Sequence, residues 1–242
     1  MIDFQAYISW DPLTRSYDVD ELLRDMDENN IHMRVITALD GEGTRAQNEF
    51  TRQLVRTYPD RLIGCAILNP KEVGCLEDLE RILNSPEFKM IELHSLEHGY
   101  RPEKYQYHLD TIFEMCRDAQ SIVKVFTGHG FYTMPEQWVF YSQRFPSLPF
   151  VFEHMGGTDF SYGMLELISP SDNLYVTTSY ETEMQPLTLA FERLPIEKYL
   201  FGSNYPLNFT DLSIMKYDIL KLTKTQKEHL FEKNARTLLN LE

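Results

Sequence analysis

Residues 62–94, LIGCAILNPKEVGCLEDLERILNSPEFKMIELH, contain one complete copy of the pattern that decides the fold. An apolar run at 62–68 predicts a buried strand, a helical pattern follows at about 75–84, and an apolar run at 88–94 predicts the next strand. Pro70 separates the first strand from the helix. This order of elements predicts two parallel strands joined by a crossover helix.

The same pattern recurs along the whole chain. Strands are predicted at 2–8, 33–39, 62–68, 88–94, 122–127, 149–154, 174–178 and 199–203. Helices are predicted at about 18–29, 44–58, 75–84, 103–119, 135–145, 160–169, 182–193 and 210–221, with a last helix at about 224–240. Eight strand–helix units in 242 residues favour a single α/β domain, residues 1–242, built as a (β/α)8 TIM barrel with an extra C-terminal helix. The first strand lacks the Gly-rich turn of a dinucleotide-binding fold, which weakens the open-sheet alternative.

Charge and cysteine content exclude several classes of partner. The chain has 23 Lys and Arg against 37 Asp and Glu, a formal net charge of −14, so we expect no nucleic-acid partner and no membrane-surface binding. Cys65, Cys75 and Cys116 show no metal or redox spacing and are predicted to be buried, reduced thiols. We find no secretory signal pattern and no apolar run long enough to span a bilayer, so a cytoplasmic location is predicted.

The carboxyl ends of the predicted strands are the places to look for chemistry, because that end of such a barrel carries the active site. The residues at those ends are Gln5, Tyr7, Glu92, His94, 124–130, Glu153, His154, 177–179 and 203–205. They include acids, histidines and amides, but no nucleophile with a base at a fixed spacing.

Six segments carry a resemblance to a known family. They are MIDFQAY (1–7), YPDRLIGCAILNP (58–70), KMIELH (89–94), FVFEHMGG (150–157), LFGSNYP (200–206) and LFEKNARTLLNL (230–241). In this order and spacing they resemble the amidohydrolase-related family, the branch of the amidohydrolase superfamily that includes aminocarboxymuconate-semialdehyde decarboxylase. The resemblance implies a barrel of the metal-dependent hydrolase type and a hydrolase-like protein that acts on or binds a small carbonyl or carboxylate metabolite.

The resemblance also implies where a divalent metal, commonly zinc, would be bound in the family. The four positions are occupied here by Gln5, Tyr7, Phe126 and Asn204. Amides are neutral, a phenol loses its proton only near pH 10, and Phe has no lone pair, so none is a good zinc ligand. We therefore predict a degenerate site with no metal-binding residues and no cofactor.

Three side chains are the candidate catalytic groups. His154 matches the histidine of the family's sixth strand, and His94 matches a histidine of its fourth strand. His154 is either a general acid/base or a neutral hydrogen-bonding group. Lys124 and Glu92 should both face the barrel interior on neighbouring strands. Lys124 is then either an anion-binding or nucleophilic group or, the favoured interpretation, one half of a structural ion pair.

Two functions remain open from the sequence. The first is an enzyme without the family metal, a hydrolase or a carbon–carbon lyase. The second, which the loss of the four ligands favours, is a pseudoenzyme that binds a metabolite or a protein. Residues expected to contact a small-molecule ligand are Gln5, Tyr7, Glu92, Phe126, His129, Asn204 and Tyr205, although His129 also fits a solvated loop residue. A homodimer formed through the outer helices is expected from the resemblance.

Overall fold

The computed structural model describes residues 1–11, 13–14, 16–39 and 43–241, apart from the side chains of Trp10 and Thr158. The strands are β1 (Ile2–Asp11), β2 (Ser16–Tyr17), β3 (Met33–Leu39), β4 (Leu62–Leu68), β5 (Phe88–Leu93), β6 (Ile122–Val125), β7 (Phe150–Phe152), β8 (Leu174–Thr177) and β9 (Tyr199–Leu200). The α-helices are α1 (Val19–Glu28), α2 (Thr44–Thr57), α3 (Cys75–Leu83), α4 (Gln106–Asp118), α5 (Pro135–Arg144), α6 (Gly157–Ile168), α7 (Met184–Arg193), α8 (Thr210–Ile219), α9 (Lys224–Glu228) and α10 (Asn234–Leu239).

Eight parallel strands form the barrel in the order β1-β3-β4-β5-β6-β7-β8-β9. The two ends of this sheet meet, because Phe4 N–H donates to Phe201 O at 2.8 Å and Tyr7 N–H donates to Tyr205 O at 2.7 Å. The predicted (β/α)8 barrel is therefore confirmed. No helix in the described part of the chain is long and apolar enough to cross a membrane.

One strand was not expected. The sequence pattern ends the first strand at residue 8, whereas β1 runs to Asp11 and pairs antiparallel with β2. The Asp11 carboxylate accepts hydrogen bonds from Leu13 N–H at 2.8 Å and from the Thr14 hydroxyl at 2.9 Å. An Asp side chain that binds the backbone two residues later is a common way to reverse the chain, and it explains the short hairpin.

Apolar side chains fill two layers. The outer layer joins the strands to the helices and includes Ile36, Leu79 and Phe113. The inner layer closes the amino-terminal end of the barrel and includes Phe4 and Val151. The three cysteines lie buried and unpaired in these layers, as predicted. Above the inner layer the interior becomes polar, and this change sets the depth of the candidate site.

The C-terminal helix differs from the uninterrupted helix predicted at 224–240. A capping box at Thr223 begins it, but a π-helical turn at His229–Lys233 separates α9 from α10. The Leu230 carbonyl accepts from Phe201 N–H at 3.1 Å, and the Asn234 amide donates to Ile196 O and Tyr199 O, each at 2.7 Å. The wide turn thus frees backbone and side-chain groups that attach this helix to the barrel.

Candidate functional site

Strained backbone conformations mark the carboxyl ends of the last three barrel strands. His154 (φ 64°), Tyr180 (φ 59°) and Asn204 (φ 60°) all lie in the left-handed region, which non-glycine residues rarely adopt. Such conformations cost of order 1–3 kcal/mol each and concentrate at functional sites. Their positions after β7, β8 and β9 support the expected location of the site.

The predicted strand at 149–154 extends two residues too far at its carboxyl end. β7 ends at Phe152, and Glu153–Gly156 form a tight turn. A Cβ atom added to Gly128 would lie 2.8 Å from the backbone of Gly157, so the loop after β6 packs directly against this turn. The close packing ends the strand and lets the consecutive residues Glu153 and His154 both line the site.

Four buried side chains form what we call the buried charge cluster: Tyr7, Glu92, Lys124 and Glu153. The Lys124 Nζ atom lies 3.1 Å from Glu92 Oε2 and 3.0 Å from Glu153 Oε1, and all three charged side chains have no exposed surface. Glu92 and Lys124 are directly opposite each other on β5 and β6, as the alternation of the strands predicts. The interior therefore contains one ammonium group between two carboxyl groups.

Hydroxyl groups complete this cluster. The Tyr7 hydroxyl oxygen lies 2.8 Å from Glu153 Oε2 and 3.1 Å from Glu92 Oε1, and so it joins the two carboxyl groups. The Thr37 hydroxyl donates to Glu92 Oε2 at 2.8 Å. Glu92 thus receives more hydrogen-bond donors than Glu153 does.

Burial and charge act differently on the members of the cluster. Burial and the charge of Glu92 raise the pKa of Glu153 to about 7, against the effect of Lys124. For Glu92, burial is outweighed by Lys124 and His94, which lower the pKa of its carboxyl group. The two carboxylates likewise outweigh burial at Lys124 and raise its pKa. Lys124 is therefore an ammonium ion, not a nucleophilic amine, at neutral pH.

Aromatic rings lie above the buried charge cluster and form what we call the mouth cluster: His94, Phe126, His129, His154 and Tyr180. Phe126 is stacked on His94 at 3.9 Å between ring centroids and meets the His154 ring edge-on at 4.8 Å. His129 lies 4.8 Å from the Tyr180 ring. His129 and Tyr180 are partly exposed, so they form the solvent side of the cluster.

Both buried imidazoles are neutral near pH 7. Burial lowers the pKa of His94 to about 4, and burial together with His129 and His94 lowers the pKa of His154 well below its ordinary value. The His94 Nδ1 atom accepts from Glu97 N–H at 3.1 Å. Since Nδ1 is then unprotonated, the neutral His94 ring carries its proton on Nε2, where it can be donated to a ligand.

His154 takes part in a chain of polar contacts. Its Nδ1 atom lies 3.0 Å from Ser179 Oγ, which lies 2.8 Å from Thr177 Oγ1. Its Nε2 atom lies 3.9 Å from Glu153 Oε2. The imidazole is thus positioned between a serine hydroxyl group and a carboxyl group.

Two further predicted residues pair with each other. Gln5 Nε2 donates to Asn204 Oδ1 at 3.3 Å, and Gln5 Oε1 is buried without a hydrogen-bond partner. A free acceptor of this kind can receive a hydrogen bond from a ligand or from water. Tyr205 lies elsewhere: its ring lies over the Arg34 guanidinium group at 4.8 Å, beside a buried Arg34–Asp3 ion pair.

The side chains at the four family metal positions do not fit a divalent metal. Tyr7 is bonded to two carboxyl groups, Phe126 is stacked on a histidine, and Gln5 and Asn204 offer only neutral amide oxygens. Across residues 1–11, 13–14, 16–39 and 43–241, no three His, Cys, Asp or Glu side chains are grouped so that they could hold a metal ion. The charge cluster instead places an ammonium group among its carboxyl groups.

Glu153 was expected among the strand-end residues but was assigned no role in the site, although a signal was available. Val151 faces the barrel interior, and alternation along the strand assigns the same face to Glu153. The resemblance drew attention to His154 instead. Thr37 was missed as a site residue, because a short polar side chain carries no distinctive spacing, and Ser179 was included only as part of the strand-end segment 177–179.

The chain belongs to the amidohydrolase family, whose family model matches residues 14–241. A search of curated proteins finds no match.

Solved structures with the same fold show low sequence identity. An uncharacterised TIM-barrel protein from Bordetella bronchiseptica is 16% identical, with a TM-score of 0.81 over 100% of this chain and 98% of that one. The 5-carboxyvanillate decarboxylase of Sphingomonas paucimobilis is 15% identical, with a TM-score of 0.78 over 100% and 99%. A probable 2-pyrone-4,6-dicarboxylic acid hydrolase from Acinetobacter baumannii, solved with citric acid bound, is 16% identical, with a TM-score of 0.76 over 99% and 98%. At this identity the likeness establishes the fold.

Proposed function

We propose that this protein binds a small carbonyl or carboxylate compound at the mouth of its barrel without a divalent metal, as a binding protein and not as a hydrolase. The observation that carries the proposal is the Lys124 ammonium group, 3.0 and 3.1 Å from two buried carboxyl groups in the interior. It supplies a fixed cation where the family positions offer no metal ligands. A buried cation paired with two carboxyl groups is costly to unpair, and it does not activate water.

The mouth cluster offers donors suited to an oxygen-rich ligand. His94 is neutral and bears its proton on Nε2, and neutral imidazoles can donate a hydrogen bond to a carbonyl or carboxylate oxygen. Phe126 and Tyr180 provide apolar ring surface beside these donors. The names of two neighbours, a dicarboxylic acid hydrolase and a carboxyvanillate decarboxylase, support the same ligand class.

Hydrolysis needs a base that can activate water near neutral pH. Glu153 has a pKa of about 7, but its side chain is fully buried and its carboxyl group is engaged by Lys124 at 3.0 Å and Tyr7 at 2.8 Å, which leaves it no exposed oxygen at which to activate a water molecule. Glu92 is paired with Lys124 at 3.1 Å, and the pKa values of His94 and His154 are lowered. A strongly lowered pKa makes an imidazole a weak general base. These properties favour binding over turnover.

The test combines metal analysis with ligand screening. Protein purified without a histidine tag from zinc- and manganese-supplemented cells should contain far less than one equivalent of metal. In the presence of a chelator, its melting temperature should rise with some members of a panel of small carboxylates, β-keto acids and lactones. His94→Gln should remove the rise, whereas His108→Asn, at an exposed position on α4, should keep it.

Two results would overturn the proposal. One is a stoichiometric, tightly held metal whose removal abolishes binding. The other is that no panel member changes the melting temperature of the chelated protein, whereas panel members do raise it after metal is added.

A second candidate function, metal-independent hydrolysis, rests on the Ser179–His154–Glu153 arrangement, with contacts of 3.0 and 3.9 Å. It resembles the order of nucleophile, base and acid in serine hydrolases. Ser179 is fully buried, which argues against its access to a substrate. Turnover of esters, lactones or amides that is lost in both Ser179→Ala and His154→Ala would establish this alternative.

A further inference from the structure

The buried charge cluster contains more negative than positive charge if every member has its usual ionisation state. Glu92 and Glu153 would contribute two negative charges and Lys124 one positive charge, all without exposed surface. An uncompensated buried charge is strongly unfavourable, and a group in that position normally becomes neutral. The cluster therefore needs one more positive charge or one more proton.

The geometry at Tyr7 indicates a proton. Its hydroxyl oxygen is within hydrogen-bond distance of two carboxyl oxygens, at 2.8 Å on Glu153 and 3.1 Å on Glu92. A phenol has a single proton and can donate to only one of them. The pKa of Tyr7 is raised well above its ordinary value by burial and by both carboxylates, so the phenol keeps that proton. The contact between the Tyr7 hydroxyl oxygen and the other carboxyl group is a hydrogen bond only if that carboxyl group donates its own proton to Tyr7.

The surroundings decide which carboxyl group carries the extra proton. Glu92 accepts from the Thr37 hydroxyl at 2.8 Å and has the Cys65 thiol 3.9 Å away, in addition to Lys124 and Tyr7. Glu153 has Lys124 and Tyr7 at short distance, of which Tyr7 is the closer, and His154 Nε2 at 3.9 Å. The Thr37 hydroxyl is therefore the short-range donor that Glu92 has and Glu153 lacks. More donors stabilise the ionised form, which assigns the charge to Glu92.

We infer that Glu153 is a neutral carboxylic acid that donates to Tyr7, while Tyr7 donates to ionised Glu92, and that this proton sets the charge beneath the mouth of the barrel. Lys124 and Glu92 then balance each other, so a bound anion meets a neutral interior. Loss of the Glu153 proton places one uncompensated negative charge under the ligand. Glu153 thereby determines which ligand charge the mouth accepts; this last step depends on the proposed function.

Other groups near Glu153 do not remove the need for its proton. His154 is on the same segment and has a lowered pKa, so it does not supply a cation at neutral pH. Several titratable or charged groups face the cluster from the surrounding elements. They are Tyr7 on β1, Cys65 on β4, Glu92 on β5, His94 directly after β5, Lys124 on β6, and His129 in the loop after β6. Lys124, 3.0 Å from Glu153 Oε1, is the cation in direct contact with both carboxyl groups.

The direct test follows glutamate carboxyl carbons by NMR. In protein labelled with carbon-13 at the glutamate side-chain carboxyl group, two buried resonances should titrate near pH 7, because burial raises the pKa of both Glu153 and Glu181 to about 7. The Glu153 resonance should disappear in Glu153→Gln and persist in Glu181→Gln, the matched control, which should lose the other resonance. The resonance lost in Glu92→Gln should instead be ionised throughout the neutral range.

A second variant distinguishes a Glu153 carboxyl group that is neutral because Glu92 shares its cation from one that is neutral because of burial alone. In Glu92→Gln, Lys124 has Glu153 as its sole carboxylate partner, so the Glu153 resonance should move to a titration well below pH 7. A Glu153 resonance that still titrates near pH 7 in Glu92→Gln would overturn the inference, and so would a Glu153→Gln protein that keeps both near-neutral resonances. Neither titration requires a ligand, so both outcomes are independent of the proposed function.

The ligand-charge step has its own measurement. With 2,6-dihydroxybenzoate as the anionic probe, the association constant of the wild type should fall by up to about tenfold per pH unit above about pH 7. Glu153→Gln keeps a neutral side chain at every pH and should show a flat profile. Equal slopes in the two proteins would refute the role of Glu153 in ligand charge.

Discussion

Removal of the buried ammonium group is the most informative perturbation of this protein. Lys124→Met keeps most of the side-chain length and removes the charge that lies 3.1 Å from Glu92 and 3.0 Å from Glu153. Two carboxyl groups and a phenol would then share a fully buried space without a cation. We therefore expect a loss of stability, and a strong dependence of that loss on pH.

The size of the effect follows from the burial of all partners. Breaking a buried ion pair by removing one member costs about 3–5 kcal/mol, which is about 6–20 °C in melting temperature for a domain of this size. Without Lys124, the pKa of Glu92 should rise above its unfolded value. A raised pKa contributes stability at low pH that is lost as the pH increases through the folded-state pKa. The penalty of Lys124→Met should therefore be larger at about pH 8 than at about pH 5.

Urea denaturation at the two pH values measures the free energy of unfolding. The control is the double variant Lys124→Met/Glu92→Gln, which has one carboxyl group fewer to neutralise and should be more stable than the single variant at about pH 8. A single variant within about 1 kcal/mol of the wild type at that pH would refute the reasoning. So would a double variant no more stable than the single one.

Three other substitutions have defined outcomes. The rise in the pKa of Glu153 from 4.5 to about 7 corresponds to about 3 kcal/mol of stability, which is present at low pH and is lost as the pH rises through 7. In urea titrations across that range, the stability of Glu153→Gln should not show this decrease. Gly128→Ala should cost more than Gly130→Ala in thermal unfolding, because both glycines have positive φ but only the Gly128 Cβ would meet backbone, at 2.8 Å. Asn173→Ala should cost about 1–3 kcal/mol, because the Asn173 amide nitrogen lies 2.8–3.0 Å from three backbone carbonyl oxygens, among which its two N–H groups are shared. Equal stability would show that water replaces the amide.

Most of the fold was predictable because each barrel strand is buried on both faces and each helix on one. These patterns locate eight strands without any knowledge of their partners. The failures occur where tertiary contacts decide local structure. The end of β7 depends on the approach of Gly128 to Gly157, which are far apart in sequence. The π-helical turn before α10 depends on the Asn234 contacts with Ile196 and Tyr199.

The site was predictable only where strand alternation applies. Glu92 and Lys124 lie on neighbouring strands at the same depth in the barrel, and Lys124 Nζ is 3.1 Å from Glu92 Oε2. Alternation also assigns Glu153 to the interior, but the resemblance around His154 directed the functional prediction to His154 and left Glu153 without a role. Tyr205 was predicted to contact the ligand from its position after a strand, yet its ring packs on Arg34. Ring direction beyond a strand end depends on loop conformation, which the sequence pattern does not specify.

The geometry of the barrel explains why the charge cluster cannot easily relax. Glu92 and Lys124 are paired in register on β5 and β6, and Glu153 directly follows β7, the next strand. Adjacent strands are held about 4.8 Å apart by their backbone hydrogen bonds, so the spacing of the three charged side chains is set by the sheet. A missing charge cannot be compensated by moving the strands, and the three side chains have no surface in contact with bulk solvent. Protonation is the response that remains, and for this reason changes in the cluster should appear as changes in pH dependence.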